Sequence, residues 1–270
     1  MRKLILFTFL LLSMSSQAQM FNVMMAQQGG RVTGGTPTGQ TAYTSPGTYT
    51  WVCPTGVTSV CVVLVGGAGQ GTTYQFAGGL TYKNNITVTP GNSYTIVVGQ
   101  GSSTMANCRS TAFTLSAGNG NDRSAGDGGG DGGRSNNGGG GAGGYSGNGG
   151  AGGNPGQSGS GGAGGGGSIY NDTDLSINVV MGGGGVGILG QGSNGAGGTY
   201  SYGCTGCYDG SASGHGGSGG QDGNYSDGDP YGYGGLYGGG GDTYNGLVGG
   251  AVRIIWGTGR SFPSTNTGNL

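Results

Sequence analysis

The chain has 270 residues, of which 76 are glycine, and charged residues make up only 7% of it. The formal net charge is −1 and every acidic residue is an aspartate, so no basic stripe exists for phosphates and nucleic-acid binding is disfavoured. With only 7 prolines and no Gly-X-Y period, the glycine content does not indicate collagen.

The first 18 residues have the pattern of a secretory signal peptide. A basic start at Met1–Lys3 precedes the apolar run Leu4–Leu12, and Ser16-Gln17-Ala18 fits a small-x-small cleavage site. The apolar run is too short to span a bilayer, and we found no later run of 18 apolar residues. We therefore expect a secreted or cell-surface protein whose mature chain is not inserted in a membrane.

Residues 19–40 carry no periodic pattern and are expected to form a flexible N-terminal segment. From residue 41 to 117 the sequence predicts the first part of a small β-sandwich, without helical periodicity. The predicted strands are Thr48–Cys53, Val57–Val65, Leu80–Val88, Ser93–Val98 and Thr111–Leu115. The turn residues 89–92 predict that the third and fourth of these strands form a hairpin.

Near the C-terminus, residues 247–257 contain the strongest strand signal in the second half of the chain, Ala251–Trp256. A single apolar strand is not stable in water, so it must join the sheet formed before residue 117. The fold expected is all-β: a small sandwich that clasps the glycine-rich region 118–246, followed by a C-terminal tail, 258–270.

For the glycine-rich region, two interpretations compete. Glycine loses much backbone freedom on folding, which favours a disordered linker. Alternatively, polyglycine II helices with three residues per turn can hydrogen-bond to each other, because no Cβ keeps their backbones apart. The apolar segments Ile177–Met181 and Val186–Gly190 would be unusual in a linker, so we favour the folded bundle.

Several motifs resemble the glycine-rich domain of many phage and marine bacterial virion or surface proteins. They are the segments 57–67, 86–91, 183–190 and 250–257, with the closing segment 260–267. More loosely, the glycine blocks resemble the tail-fibre adhesins of T-even-type phages, in which a polyglycine II sandwich presents variable receptor-binding loops. The signal peptide departs from a phage component and favours a bacterial surface or secreted protein.

Between the glycine blocks lie inserts rich in Tyr, Ser, Asn and Asp, the composition that recognition loops favour. Those at 199–209 and 224–237 are the richest. The alternative is that these tyrosines only cover the glycine bundle. The candidate ligand-binding residues are Tyr200, Tyr202, Tyr208, Asp209, Tyr225, Asp227, Asp229, Tyr231, Tyr233 and Tyr237.

Catalysis and metal binding are not indicated. The sole histidine, His215, lies among glycines without an ordered triad. The clusters Asp222–Asn224 and Asp227–Asp229 lack the glutamate that closes a calcium loop, so no metal site and no cofactor are predicted. The spacing of Cys204 and Cys207 predicts a local disulfide rather than a zinc or redox site, and an odd cysteine remains among the five.

Two function classes follow. The first is an adhesin or receptor-binding protein whose partner is a surface glycan or protein. The second is a structural matrix protein that self-associates into fibres without a specific ligand. A phage tail-fibre protein and an ice-binding protein are less favoured variants.

Overall fold

A computed structural model describes residues 37–70, 74–172, 177–202, 212–225, 232–241, 246–264 and 268. These residues form short β-strands and one 3₁₀ turn, Met105–Cys108. In chain order the strands are β1 Gly39–Tyr43, β2 Gly47–Val52, β3 Ser59–Val65, β4 Gly69–Gln70, β5 Gln75–Phe76, β6 Leu80–Thr87, β7 Ser93–Val98, β8 Ser110–Ala112, β9 Leu115–Ala117, β10 Gly128–Gly130, β11 Ile169–Asp172, β12 Ile177–Val180, β13 Ser201–Tyr202, β14 Asn224–Tyr225, β15 Gly232–Tyr233 and β16 Ala251–Trp256. The expected all-β class is confirmed.

The largest sheet has five antiparallel strands in the order β1-β16-β3-β6-β10. Its centre is β3, which pairs with β16 so that Val62 lies opposite Ile254 and Val65 opposite Ala251. Both strands are buried nearly throughout, as their continuous apolar sequences predict for strands covered on two faces. The closing strand therefore does return to the sheet formed by the first part of the chain.

A second sheet, in the order β2-β7-β8-β9, packs against one face of the first. Alternate residues of β3, namely Val60, Val62 and Leu64, enter the core between the two sheets, together with Trp51 and Ile96. This alternation is the two-residue period of a strand. The two sheets form the predicted sandwich.

The predicted hairpin around residues 89–92 is wrong. In the structure β6 belongs to the five-stranded sheet and β7 to the four-stranded sheet, so the turn carries the chain from one sheet to the other. Gly91, with φ of +81°, donates its N–H to Cys53 O at 2.8 Å. A Pro-Gly turn signal marks a reversal of the chain but does not determine which strands become hydrogen-bonded neighbours.

Two further elements differ from the sequence prediction. The single strand expected over 111–115 is a short hairpin, β8 and β9, because the chain reverses at Phe113, whose φ is +56°. The strand β1 begins at Gly39, within the segment expected to be flexible, and pairs with β16 along five residues. The signal peptide and most of the N-terminal segment lie outside the described residues.

The glycine-rich part of the chain packs against the other face of the five-stranded sheet. Here Val63 and Val65 of β3 and Ile255 of β16 meet Tyr145 and Val186 from the glycine-rich region. The hydroxyl of Tyr145 donates to Gly187 O at 3.2 Å and accepts from Gly190 N–H at 3.1 Å, so the buried ring keeps its polar atom satisfied. Burial raises the pKa of this tyrosine well above its ordinary value.

Glycine segments in this region hydrogen-bond to each other at intervals of three residues. Gly139 N–H donates to Met181 O at 2.8 Å, and three residues later Ala142 N–H donates to Gly184 O at 2.9 Å. The same interval separates Gly164 and Gly167, which donate to Ala142 and Gly139, and Gly195 and Gly198, which donate to Ala163 and Gly166. A period of three is the one that polyglycine II helices require; the assignment to that helix type stays a prediction.

We call this region, formed by the segments 138–144, 147–153, 156–168, 181–187, 195–198, 212–223 and 234–240, the glycine bundle. Its segments approach so closely that added side chains would overlap neighbouring backbone. A Cβ at Gly183 would strike Gly140 O, and one at Gly167 would strike Met181 O. The described chain includes no helix long and apolar enough to cross a membrane.

Candidate functional site

Four inserts interrupt the glycine bundle, at residues 169–180, 199–211, 224–233 and 241–246, and all four begin and end at the same end of it. Hydrogen bonds join the residues that flank them. Ser168 N–H donates to Ala212 O at 2.7 Å and Met181 N–H donates to Ser168 O at 3.0 Å. Likewise Gly234 N–H donates to Gly246 O at 2.9 Å and Gly223 N–H donates to Gly214 O at 2.8 Å. We call this end the insert end.

Two small sheets are formed by the inserts themselves. In the first, β11 pairs antiparallel with β12 and parallel with β13, which places Asn171 opposite both Asn178 and Tyr202. In the second, β14 pairs with β15, so that Tyr225 lies opposite Gly232. Backbone pairing therefore connects separate inserts: Tyr170 and Ser201, which pair, are 31 positions apart in the sequence.

A small cluster of buried apolar residues lies at the junction between the inserts and the glycine bundle. It consists of Val179, Met181 and Ala212, which are each at most 2% exposed. The cluster lies where the first insert returns to the bundle and the second insert rejoins it. Loops held on a rigid scaffold are the usual positions of recognition residues, because their geometry is fixed before a partner arrives.

Exposed tyrosines are found at this end. Among the described residues, the aromatic side chains with the largest exposed fractions are Tyr74 at 42%, Tyr200 at 40% and Tyr233 at 36%. Tyr200 precedes β13 and Tyr233 closes β15, so both belong to the inserts. An exposed aromatic ring on a supported loop offers a large contact area with few torsions to immobilise.

The structure brings together four of the candidate ligand-binding residues and separates one from them. Tyr200, Tyr202, Tyr225 and Tyr233 all belong to strands or strand ends of the insert end. Seven candidates fall outside the described residues: Tyr208, Asp209, Asp227, Asp229, Tyr231, Cys204 and Cys207.

Tyr237 is not part of this group. Its carbonyl O accepts from Val186 N–H at 3.0 Å in the bundle. Its ring packs against the core that the five-stranded sheet shares with the glycine bundle, which we call the second core. It lines an open cleft of about 520 Å³ together with Thr41, Leu189 and Arg253. Tyr237 follows Tyr233 by four positions, and an extended chain advances about 3 Å per residue, so the two tyrosines can lie at different levels of the bundle.

The described cysteines are buried thiols. Cys53, Cys61 and Cys108 are unpaired, so the oxidation expected of a secreted chain is not seen at these three positions. Burial raises the pKa of Cys108 from 9.0 to about 11. A thiol with so high a pKa is a weak nucleophile at neutral pH.

Polar chemistry elsewhere in the bundle is sparse. His215 Nδ1 lies 3.1 Å from Asp222 Oδ2, and both side chains are about half exposed. Within the described ranges no group of three His, Cys, Asp or Glu side chains is placed to hold a metal ion. At the insert end the described structure exposes the tyrosines Tyr200 and Tyr233.

Sequence reasoning overlooked Tyr74, which lies in the sandwich part of the chain and contacts Arg134. The guanidinium carbon of Arg134 stands 3.1 Å from the centre of the Tyr74 ring. Sixty residues separate the two, and neither lies in an insert, so no local pattern pointed to them.

Comparison with known proteins identifies the domain. No curated protein and no solved structure matches this chain. A family model described as a glycine-rich domain matches residues 44–263, which include every strand of the sandwich except β1, the bundle and the inserts. The chain belongs to this glycine-rich domain family.

Proposed function

We propose that the protein is a secreted or cell-surface adhesin or receptor-binding protein that recognises surface glycans or proteins with its insert end. The observation that carries this proposal is the convergence of four sequence-distant inserts on one end of the bundle, with Tyr200 and Tyr233 exposed there. A structural role alone does not require polar, tyrosine-bearing inserts to share an end.

The chemistry of the insert end fits a ligand with both apolar and hydroxyl groups. Tyrosine rings stack on sugar faces or fill pockets of a protein partner, and Ser and Asn supply adaptable hydrogen bonds. Backbone pairing fixes the described strands of the inserts, β11 to β15, so those segments lose less conformational entropy on binding. Secretion follows, in this proposal, from the signal-peptide pattern of residues 1–18.

The test is a cell-adhesion assay with the mature protein and the double variant Tyr200→Ser/Tyr233→Ser. Each aromatic anchor in such a surface contributes about 2 kcal/mol, so adhesion should fall by well over tenfold. The control is Val52→Ser, because Val52 is 55% exposed on the four-stranded sheet and belongs to no insert. Unchanged adhesion by a folded double variant would refute the proposal.

A second candidate is a structural matrix protein that associates into fibres through the bundle. The regular backbone hydrogen bonding favours it, because a lattice with a three-residue period can continue from one molecule to the next. Electron microscopy of the concentrated mature protein distinguishes the candidates. Fibres that form without a ligand, together with adhesion that ignores the tyrosine variant, would support the structural role.

A further inference from the structure

We propose that Arg134 and Tyr74 form a carboxylate-binding subsite beside the inserts, and that the partner is an acidic saccharide. This inference rests on the proposed function, because it extends the same surface onto the sandwich. It differs from that proposal in naming a charged group of the ligand and the residue that binds it.

Hydrogen bonds place the pair at the insert end. Gly152 N–H donates to Arg134 O at 2.8 Å, and the next residue, Gly153, donates to Gly167 O at 3.2 Å. Gly167 immediately precedes Ser168, where the first insert leaves the bundle. On the sandwich side, Phe76 forms a bridge with Arg134, and Ser135 N–H donates to Gln75 O at 2.9 Å, so Tyr74 lies at this level as well.

The guanidinium of Arg134 is positioned to bind an anion. It lies over the ring of Tyr74, 42% of which is exposed, and Arg134 itself is exposed. Within the described chain its N–H groups make no hydrogen bond. The neighbouring arginines differ, because Arg109 and Arg123 each pair with an aspartate at 2.7 Å.

In the sequence, Arg134 is followed by a long stretch without another Lys or Arg side chain. From residue 135 to 252 the sequence contains seven aspartates and no Lys or Arg. Arg134 is therefore the last basic residue before the inserts begin. The planar guanidinium of arginine can donate two parallel hydrogen bonds to one carboxylate. Because the guanidinium is already stacked on the Tyr74 ring, it loses less conformational entropy on binding.

A saccharide satisfies both parts of this surface. Its apolar ring faces can contact Tyr74, Tyr200 or Tyr233, and its carboxylate can accept two N–H bonds from Arg134. A simple polyanion lacks the ring faces that the tyrosines contact. We therefore infer a uronic-acid type of ligand.

The experiment compares immobilised polygalacturonate with its fully methyl-esterified form, which keeps the sugar and removes the charge. The mature wild-type protein should bind the carboxylate polymer more tightly, and less so as NaCl is raised. Arg134→Gln should weaken binding about tenfold or more, because hydrogen bonds between charged groups are lost. Arg134→Lys should retain only part of the affinity, since it keeps the charge and loses the fork.

Arg109→Gln is the matched control, because Arg109 is also exposed but is paired with Asp122. It should bind like the wild type. The inference is overturned if wild type binds neither polymer, binds both equally, or is matched by Arg134→Gln. If Tyr200→Ser/Tyr233→Ser loses cell adhesion while Arg134→Gln retains it, the proposed function stands and this subsite does not. If both variants adhere like the wild type, both proposals fail.

Discussion

At Gly165 a methyl group would occupy the space of a backbone carbonyl. A Cβ there would overlap Ala196 O, while Gly165 N–H already donates to His215 O at 2.8 Å. The glycine is required because two neighbouring segments contact it along their backbones, which leaves no flexible side chain that could move aside. At the residue scale, the bundle is stabilised by hydrogen bonds that only the absence of a side chain permits.

Gly165→Ala is therefore expected to destabilise the protein by about 3 kcal/mol, which corresponds to a fall in Tm of about 6–12 °C. Thermal unfolding followed by circular dichroism or calorimetry measures it. Gly153→Ala is the matched control, because a Cβ at Gly153 would lie 3.1 Å from Pro155 O and the next atom is 3.9 Å away. Equal melting temperatures for the two variants would contradict a close-packed bundle.

At the scale of elements, β16 connects the two halves of the fold. Ile254 points into the core between the two sheets, and Ile255 points into the core that the sheet shares with the glycine bundle. Both side chains are fully buried. One strand thus contributes side chains to both cores. Removing β16 would therefore expose apolar surface in the sandwich and in the glycine bundle.

Ile254→Ala and Ile255→Ala should each lower the free energy of unfolding by about 2–5 kcal/mol, in a single cooperative transition. Denaturant unfolding followed by tryptophan fluorescence and by far-ultraviolet circular dichroism measures this. Val52→Ala, at a position that is 55% exposed, should change stability little. Separate transitions for the two probes in Ile255→Ala would mean that bundle and sandwich unfold independently.

At the scale of the whole molecule, the bundle has the insert end and a region that packs on the five-stranded sheet. Tyr200 and Tyr233 lie at the first, whereas Tyr237 packs with the second core and borders the cleft beside β1. Composition alone treats these three tyrosines alike. In the structure Tyr200 and Tyr233 are exposed, whereas Tyr237 packs against a core; under the proposed function only the first two contact the partner.

Tyr237→Ser is accordingly expected to lower Tm, because a ring is removed from the second core, and to leave adhesion per folded molecule unchanged. Adhesion assays at a temperature well below the transition, normalised to folded protein, measure this. The comparison with Tyr200→Ser/Tyr233→Ser is direct, since all changes replace tyrosine by serine. A loss of adhesion in folded Tyr237→Ser would place the binding surface elsewhere.

Local sequence patterns were sufficient to predict the two central buried strands of the five-stranded sheet. The β-branched runs of β3 and β16 predicted buried strands, and the need of a single strand for partners predicted that β16 returns to the first sheet. The same reasoning misjudged the turn at 89–92, because a turn signal does not specify partners across space. It also missed β1, whose short polar sequence becomes a strand only through its pairing with β16.

The tertiary structure alone decided where the candidate site lies. Glycine carries no side chain, so the bundle segments have no hydrophobic period from which their order or direction could be derived. Their hydrogen bonds bring the four inserts to one end, exclude Tyr237 from it and set Arg134 against Tyr74. These contacts join residues that are far apart in the chain. Their energy depends on how whole segments pack together, and a short window of sequence carries no information about that packing.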